Sequence, residues 1–344
     1  MMEVSLNELC TYDRGLSIPR RDTNIHYNIP YLHYGDIYKK YNFRIDLDKE
    51  LKDIIKINND TDLKPGYLLS NGNIVYTLTS ETVEDLGHSA LIINKNNIPF
   101  VAGMETTIIR IKNTSLVLPA YLNYIFQSDS FKQKLRQYVT GMKVYRVHPK
   151  DLLRIKVNLP TMEAQSKIIR ILDSISDKID INNKVNDYLA DTAKSILRHL
   201  LNEKSSNEKV TLSDIANITM GQSPPGDTYN KTGKGVVFYQ GRAEFGNYFP
   251  KSRLYTTQPK KMAFSGDILM SIRAPVGDIN LALIDCCIGR GLVAIRSKNE
   301  KQSFIHYLLE LNRERLEIFN MEGTVFGCIK KDQLNDMEFV VPVN

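Results

Sequence analysis

The sequence predicts an α+β protein: two similar α/β domains joined by a long coiled-coil-type α-helix. Three observations carry this reading. Segments of the first half recur in order in the second. A run from Met162 to about Asn202 holds neither glycine nor proline. The chain's 344 residues, 42% of them hydrophobic, suffice for two buried cores of ordinary size.

The recurrence has three parts. VSLNELCTYDRGLSIPRRD, from Val4, resembles VTLSDIANITMGQSPPGDT, from Val210. KPGYLLS, around Gly66, resembles SGDILMS, around Gly266. GMKVYRVHPKDLLRIKVNLP, from Gly141, resembles GTVFGCIKKDQLNDMEFVVP, from Gly323; Leu152 then falls on Leu334 and Pro160 on Pro342 without a gap. The offset drifts from 206 to 200 to 182 residues, as loop-length differences between two diverged copies would produce. The domains are therefore expected at 1–158 and 205–344, with 159–204 as connector.

Each copy reads as mixed α and β. Val157–Pro160 and Phe339–Pro342 look like terminal strands. IVYTLT, ALIIN and TTIIRIK in the first copy, and GDILMSIR and GLVAIRS in the second, are short and β-branched. Tyr121–Tyr138 and Phe304–Asn320 have helical periodicity at matching places. The second copy is rich in turns: SPPGDTYNKTGKG, YQGRAEFGNYF and RAPVGD all carry Gly, Pro or Asn.

The connector reads as one helix. Thr161 is placed to cap it, and Glu163 lies near its positive end. Ile168, Leu172, Ile175 and Ile179, then Leu189, Ala193, Ile196 and Leu200, follow the alternating 4 and 3 spacing of a coiled-coil seam. Asn182 and Asn186 interrupt it, as register-fixing residues do. Ile171, Ile181, Val185 and Tyr188 widen the stripe, so a second helix or another subunit is expected against it. A helix of this length makes a rod of roughly 60 Å, suited to holding two domains at a set distance. NEKSSNEK then reads as a polar linker.

Enzymatic chemistry is not legible. Gly226–Gly235 is spaced too long for a phosphate-cradling loop and has Gly235 where a hydroxyl is needed. The six histidines are scattered, without metal-ligand spacing. No nucleophile elbow occurs. Ser223-Pro224-Pro225-Gly226 lacks the Asn and the aromatic of an adenine-methylating loop. Cys10, Cys286, Cys287 and Cys328 form neither a metal site nor a secreted disulfide framework; Cys286-Cys287 read as buried thiols on a strand. With no long apolar run and no signal-peptide pattern, the expected location is the cytoplasm, with no membrane partner.

The net charge of +6 permits a polyanion partner. Basic and aromatic residues cluster in loops. In the first copy these are Arg14, Arg20 and Arg21, then Lys143, Tyr145, Arg146 and His148. In the second they are Tyr239, Gln240, Arg242, Lys251 and Arg253, then Arg273 and Arg290. Such side chains satisfy base edges and hold phosphates. The candidate DNA-binding set is Arg20, Arg21, Lys143, Tyr145, Arg146, Tyr239, Gln240, Arg242, Arg273 and Arg290.

LPTMEAQSKIIRILDSISDKIDINNKVNDYLADTAKSIL resembles the central conserved segment of type I restriction-modification specificity subunits: a Leu-Pro strand end, a Glu-x-Gln helix start, an Ile-Asp-x-Asn-Asn motif, then a long helix. VTLSDIANITMGQSPPGDTYN, YQGRAEFG, GDILMSIRAPVGD and CIGRGLVAIR resemble one type of target-recognition domain in that family. The resemblance covers essentially the whole chain, more weakly over residues 1 to about 155.

The resemblance implies that each domain reads half of a split target in double-stranded DNA and that the helix sets the gap. It implies that modification subunits, which bind S-adenosylmethionine and methylate adenine, dock on the helix, with Ile168, Leu172, Ile175, Ile179, Asn182, Asn186, Leu189 and Ile196 at that interface. A translocase-nuclease restriction subunit using ATP and Mg²⁺ completes the complex. No metal or cofactor is implied on this chain, and no catalysis. Family members usually carry a second conserved helix, antiparallel to the first, and the sequence ends at Val343-Asn344 where it should begin. Either the chain is shortened or another chain supplies that helix, so the seam is expected to bind the modification subunit or to self-associate. Two alternatives stand beside this reading: an enzyme with a metal or S-adenosylmethionine site, and an anti-restriction decoy that occupies modification subunits.

Overall fold

The structure, a computed structural model, describes residues 2–24, 26–41, 43–58, 63–202, 207–273, 275–320 and 327–342. The start of the repeated segment at Gly323 lies outside them, as do Val343-Asn344. The chain divides into two compact units, Met1–Asn182 and Asn183–Asn344. One continuous helix, Met162–Asn202, contributes residues to both.

The first unit is built on a five-stranded sheet in the order Cys10–Arg14, Thr106–Ile111, Ile74–Thr77, Ser89–Ile93, Arg44–Asp46. All pairings are antiparallel except the last. Every residue of Ile74–Thr77 is buried, so both faces of the sheet are covered. One face packs on Leu122, Phe126 and Phe131 of the following helices, the other on Ile37, Ile54 and Phe100. A smaller sheet joins Val101–Ala102, Ile29–Leu32, Lys56–Ile57 and Thr23–Asn24. Met2–Ser5 pairs with Lys156–Leu159 and closes the unit.

The second unit repeats this plan. Ala216–Met220, Leu292–Ser297, Ile268–Ser271 and Ile279–Leu281 form an antiparallel sheet. Beside it run Tyr229–Asn230, Tyr255–Thr256, Val236–Tyr239, Cys286–Ile288 and Met262–Ala263. Cys286 and Cys287 are buried on their strand. Asn207–Thr211 pairs with Glu338–Pro342. The end of the expected polar linker is therefore the closing strand of this unit, while 203–206 lie outside the described residues.

The β-ladders coincide between the units. Val4 faces Val157, and Val210 faces Phe339. Reciprocal capping boxes follow each entry strand, Ser5 with Glu8 and Thr211 with Asp214. One correspondence read from sequence is corrected. Gly266 matches Gly72, not Gly66, which lies in the 3-10 turn Pro65–Tyr67. Gly72 and Gly266 have φ of 83° and 88°, a region that favours glycine. Their amides donate to Ile92 O at 2.9 Å and Ala282 O at 2.8 Å. In the next position Asn73 accepts from Ser70 N at 2.8 Å and Asp267 from Phe264 N at 2.7 Å. Each is also met by an arginine of the second strand of its sheet, Arg110 on Asn73 and Arg296 on Asp267.

Both helices expected as single elements are broken. Tyr121–Tyr138 falls into Pro119–Gln127 and Asp129–Arg136, because Ser128 turns extended and accepts from Phe131 N at 3.3 Å. Phe304–Asn320 falls into Gln302–Leu311, Arg313–Glu317 and a 3-10 turn, with Asn312 bonding back to Leu308 O at 2.8 Å.

The long helix starts at Thr161, whose Oγ1 accepts from Ala164 N at 3.4 Å. The stripe it lays on the first unit is largely polar. Gln165 and Ser176 are buried, Tyr124 Oη donates to Asp173 at 2.6 Å, and Arg44 pairs with Asp177. On the second unit it buries Leu197, takes a bond from Tyr248 Oη to Asp187 at 3.1 Å, and sets Lys194 3.9 Å from Glu310. The apolar seam lies about a third of the way round the helix from these contacts. Ile175, Ile179, Leu189 and Ile196 are exposed, Ile168 and Leu172 half-buried. Asn182 and Asn186 are exposed within this chain.

Candidate nucleic-acid interface

In each unit two glycines let a turn approach the first strand of the main sheet. A Cβ on Gly15 would stand 1.8 Å from Gly103 O, and one on Gly221 would stand 2.1 Å from Gly289 O. These are backbone contacts that no other residue permits. The amide after each first glycine bonds across the gap, Leu16 N to Ala102 O at 2.8 Å and Gln222 N to Ile288 O at 3.0 Å. The turns so held present Met104-Glu105 in the first unit and Arg290-Gly291 in the second.

Beside the first turn a short ladder pairs Tyr145–Arg146 with Thr79–Ser80. Arg146 is exposed and lies 3.9 Å from Glu105. Arg14, Thr79, Glu105, Thr140, Arg146 and His148 line a cavity of about 440 Å³ here. Lys143 is exposed in the loop that begins at Gly141, and Tyr145 is half-buried against the core. Arg21 is exposed, 3.8 Å from Asp22, in the 3-10 turn Arg20–Asp22; the Arg20 side chain is outside what the structure describes. Arg21 does not line this cavity.

In the second unit Gly289 and Gly291 pack against the Gln240-Gly241 backbone. Gln240, Arg273 and Arg290 are exposed there. Ser223 accepts from the Arg290 amide at 3.4 Å. Arg242 is exposed but tied to Asp278, which also holds Arg313. Tyr239 is corrected. It is 1% exposed in the core beside Cys286 and Ile288, with its hydroxyl 3.1 Å from Ser252. Burial raises its pKa and the Ser252 bond opposes this. Such a ring is packed in the core and offers no exposed face for a contact.

A second cavity, of about 710 Å³, lies where the long helix meets the second unit; Asp187, Lys194, Tyr248, His306, Glu310 and Arg313 line it. Among the described residues no group of three or more His, Cys, Asp or Glu could hold a metal ion. Among them, too, no helix is long and apolar enough to cross a membrane. Met104 and Glu105 were missed from sequence. The signal that finds them is the glycine pairing: VAGME occupies the place of CIGRG once the units are aligned by strand register.

The arrangement is a duplicated scaffold with exposed arginines at or beside the glycine-held turn of each unit. A family model for the type I restriction modification DNA specificity domain matches residues 1–190 and again 204–343. The putative type I restriction enzyme MjaX specificity subunit of Methanocaldococcus jannaschii is 34% identical over 318 residues, covering 84% of this chain and 73% of that protein. The crystal structure of the type I restriction-modification S subunit from M. genitalium shares the fold, with a TM-score of 0.54 at 14% identity, covering 99% of this chain and 84% of that one.

Proposed function

Because the chain belongs to the family of type I restriction modification DNA specificity domains, matched in both halves, we propose that each half reads one part of a split duplex target. Its role is DNA sequence recognition within a type I restriction-modification system, as a non-catalytic specificity subunit. The observation that carries the two-reader form is the repetition of one scaffold, with Arg146 beside one glycine-held turn and Arg273 and Arg290 at the other. Arg14, Lys143 and Gln240 supply further donors for phosphates and base edges. Residues 1–158 and 205–344 are the two readers and 159–204 the spacer that sets the gap.

Modification subunits that bind S-adenosylmethionine dock on the helix stripe at Ile168, Leu172, Ile175, Ile179, Asn182, Asn186, Leu189 and Ile196, and a restriction subunit joins through them. A second copy of the chain is the other occupant such a stripe admits. A restriction complex acting on cellular DNA works in the cytoplasm. The comparisons lend the decoy alternative no support.

The test is selection from a randomised duplex library by the purified chain, with and without its modification subunit. Enrichment of two short motifs at a fixed gap is expected, with affinity falling steeply as salt rises. Binding of the modification subunit with no motif enriched in either condition would replace this reading by the decoy.

A further inference from the structure

The two units, aligned by strand register, separate residues that share their chemistry from residues that do not. Val147 donates to Leu78 O at 2.9 Å, and Ile329 donates to Ile272 O at 3.1 Å. One residue outward, Arg146 pairs with Thr79 in the first unit, and Cys328 pairs with Arg273 in the second. This is the same cross-strand pair. Each unit places one exposed arginine on it, from opposite strands. Directly paired residues carry their Cβ atoms about 5 Å apart, well within the reach of an arginine, so the guanidinium can arrive at one point from either side.

The adjacent turn behaves in the opposite way. Where the first unit has an exposed Met104 and then Glu105, the second has an exposed Arg290 and then Gly291. Glu105 lies 3.9 Å from Arg146, and the second unit has no side chain in that place. Two readers of different half-sites meet the same phosphate backbone but different bases. Contacts common to both therefore position the duplex, and contacts that differ specify it.

Resting on the DNA-reading function above, we propose that Arg146 and Arg273 are one phosphate-contacting position filled from opposite strands, and that Met104-Glu105 and Arg290-Gly291 are the base-specifying turns beside it. The chemistry of the turns follows. Met104 offers an apolar surface to a thymine methyl and Glu105 an acceptor to cytosine N4, whereas Arg290 matches the O6/N7 edge of guanine.

The experiment measures binding of the full chain with its modification subunit to its selected duplex and to a scrambled one, across salt concentration. Arg146→Ala and Arg273→Ala should each reduce the salt slope by about 0.9, equally on both duplexes, with the selected motif unchanged. Moving the arginine across the pair, Arg273→Thr with Cys328→Arg, should restore the slope. Arg290→Met should change the selected bases in one half-site and leave the other half-site and the gap as they were. Melting temperatures of all variants separate loss of contact from loss of fold. The proposal is overturned if Arg273→Ala alters the selected bases at constant slope, if Cys328→Arg does not rescue a folded double variant, or if Arg290→Met leaves the motif intact. If the unmodified chain selects no motif and binds the scrambled duplex no more weakly, the DNA-reading function itself falls, and this inference with it.

Discussion

Replacing Gln165 by leucine probes the contact that fastens the long helix to the first unit. Gln165 is fully buried. Its Oε1 accepts from Leu118 N at 2.9 Å, and its Nε2 donates to Leu116 O at 2.8 Å and Pro160 O at 3.1 Å. Leucine has similar bulk and a similar helix propensity, so the change removes polar contacts with little change of shape. Three hydrogen bonds at about 0.5–1.5 kcal/mol each give a loss of about 3 kcal/mol, and the orphaned amide and carbonyls hold it there. Added apolar burial offsets about 1 kcal/mol. A net loss of about 2 kcal/mol lowers the melting temperature of a unit this size by about 4–8 °C. Scanning calorimetry of the full chain is the assay, because the two units need not melt together. Gln165→Glu should cost more, since a carboxylate would face two carbonyl oxygens, and part of that loss should be relieved on acidification as the group protonates. A shift under 2 °C for the leucine variant, or a glutamate variant as stable as the parent, would show that these three bonds do not fasten the helix.

Three further outcomes are expected. Gly15→Ala and Gly221→Ala place a Cβ 1.8 Å and 2.1 Å from a carbonyl oxygen; each should destabilise its unit by about 3 kcal/mol in urea titration, and parental stability would show that the strands part freely. Burial pushes the Cys10 and Cys286 thiols up to about 12, and Cys287 is also buried, whereas Cys328 is exposed; a thiol reagent at pH 8 should find one fast cysteine in the native chain and four in denaturant, and more than one fast thiol contradicts the packing. Burial, with Lys194 helping and Glu310 opposing, holds His306 below its ordinary value of 6.5. The unfolded chain therefore takes up this proton first, so stability is retained above about pH 6.5 and lost as pH falls below it. His306→Gln should flatten the fall in the second unit's melting temperature between pH 7 and 5, and an unchanged fall would rule His306 out as its source.

What could be read from the sequence divides along physical lines. The long helix was legible because the absence of Gly and Pro over Met162–Asn202 is a backbone property that packing does not override. Its docking face was not. Hydrophobic periodicity points to Ile175 and Leu189, while the contacts with its own units run through Gln165, Asp173, Ser176 and Asp187. The breaks at Ser128 and Asn312 were hidden, since the flanking apolar residues keep a helical period across both. Gly66, followed at once by Tyr67-Leu68-Leu69, resembles Gly266 in sequence by chance, whereas the positive φ shared by Gly72 and Gly266 and the Asn73 and Asp267 bonds mark the structural match. Tyr239 stands beside Gln240-Gly241, a turn signal in the sequence, yet it ends a strand whose last three residues are buried. The arginines could be placed on loops, but the pairing of Arg146 with Thr79 and of Arg273 with Cys328 is a matter of register, which residue type alone does not encode.

The proposed function requires the long helix to set the spacing of the two readers. Inserting one heptad between Asn182 and Asn183 lengthens a helix by about 10.5 Å and restores its face, the equivalent of about 3 base pairs of duplex. Selection from a randomised library by this variant with its modification subunit should return both half-motifs unchanged with the gap about 3 base pairs longer. The same gap, or altered half-motifs, would show that the helix does not set the spacing of the half-sites.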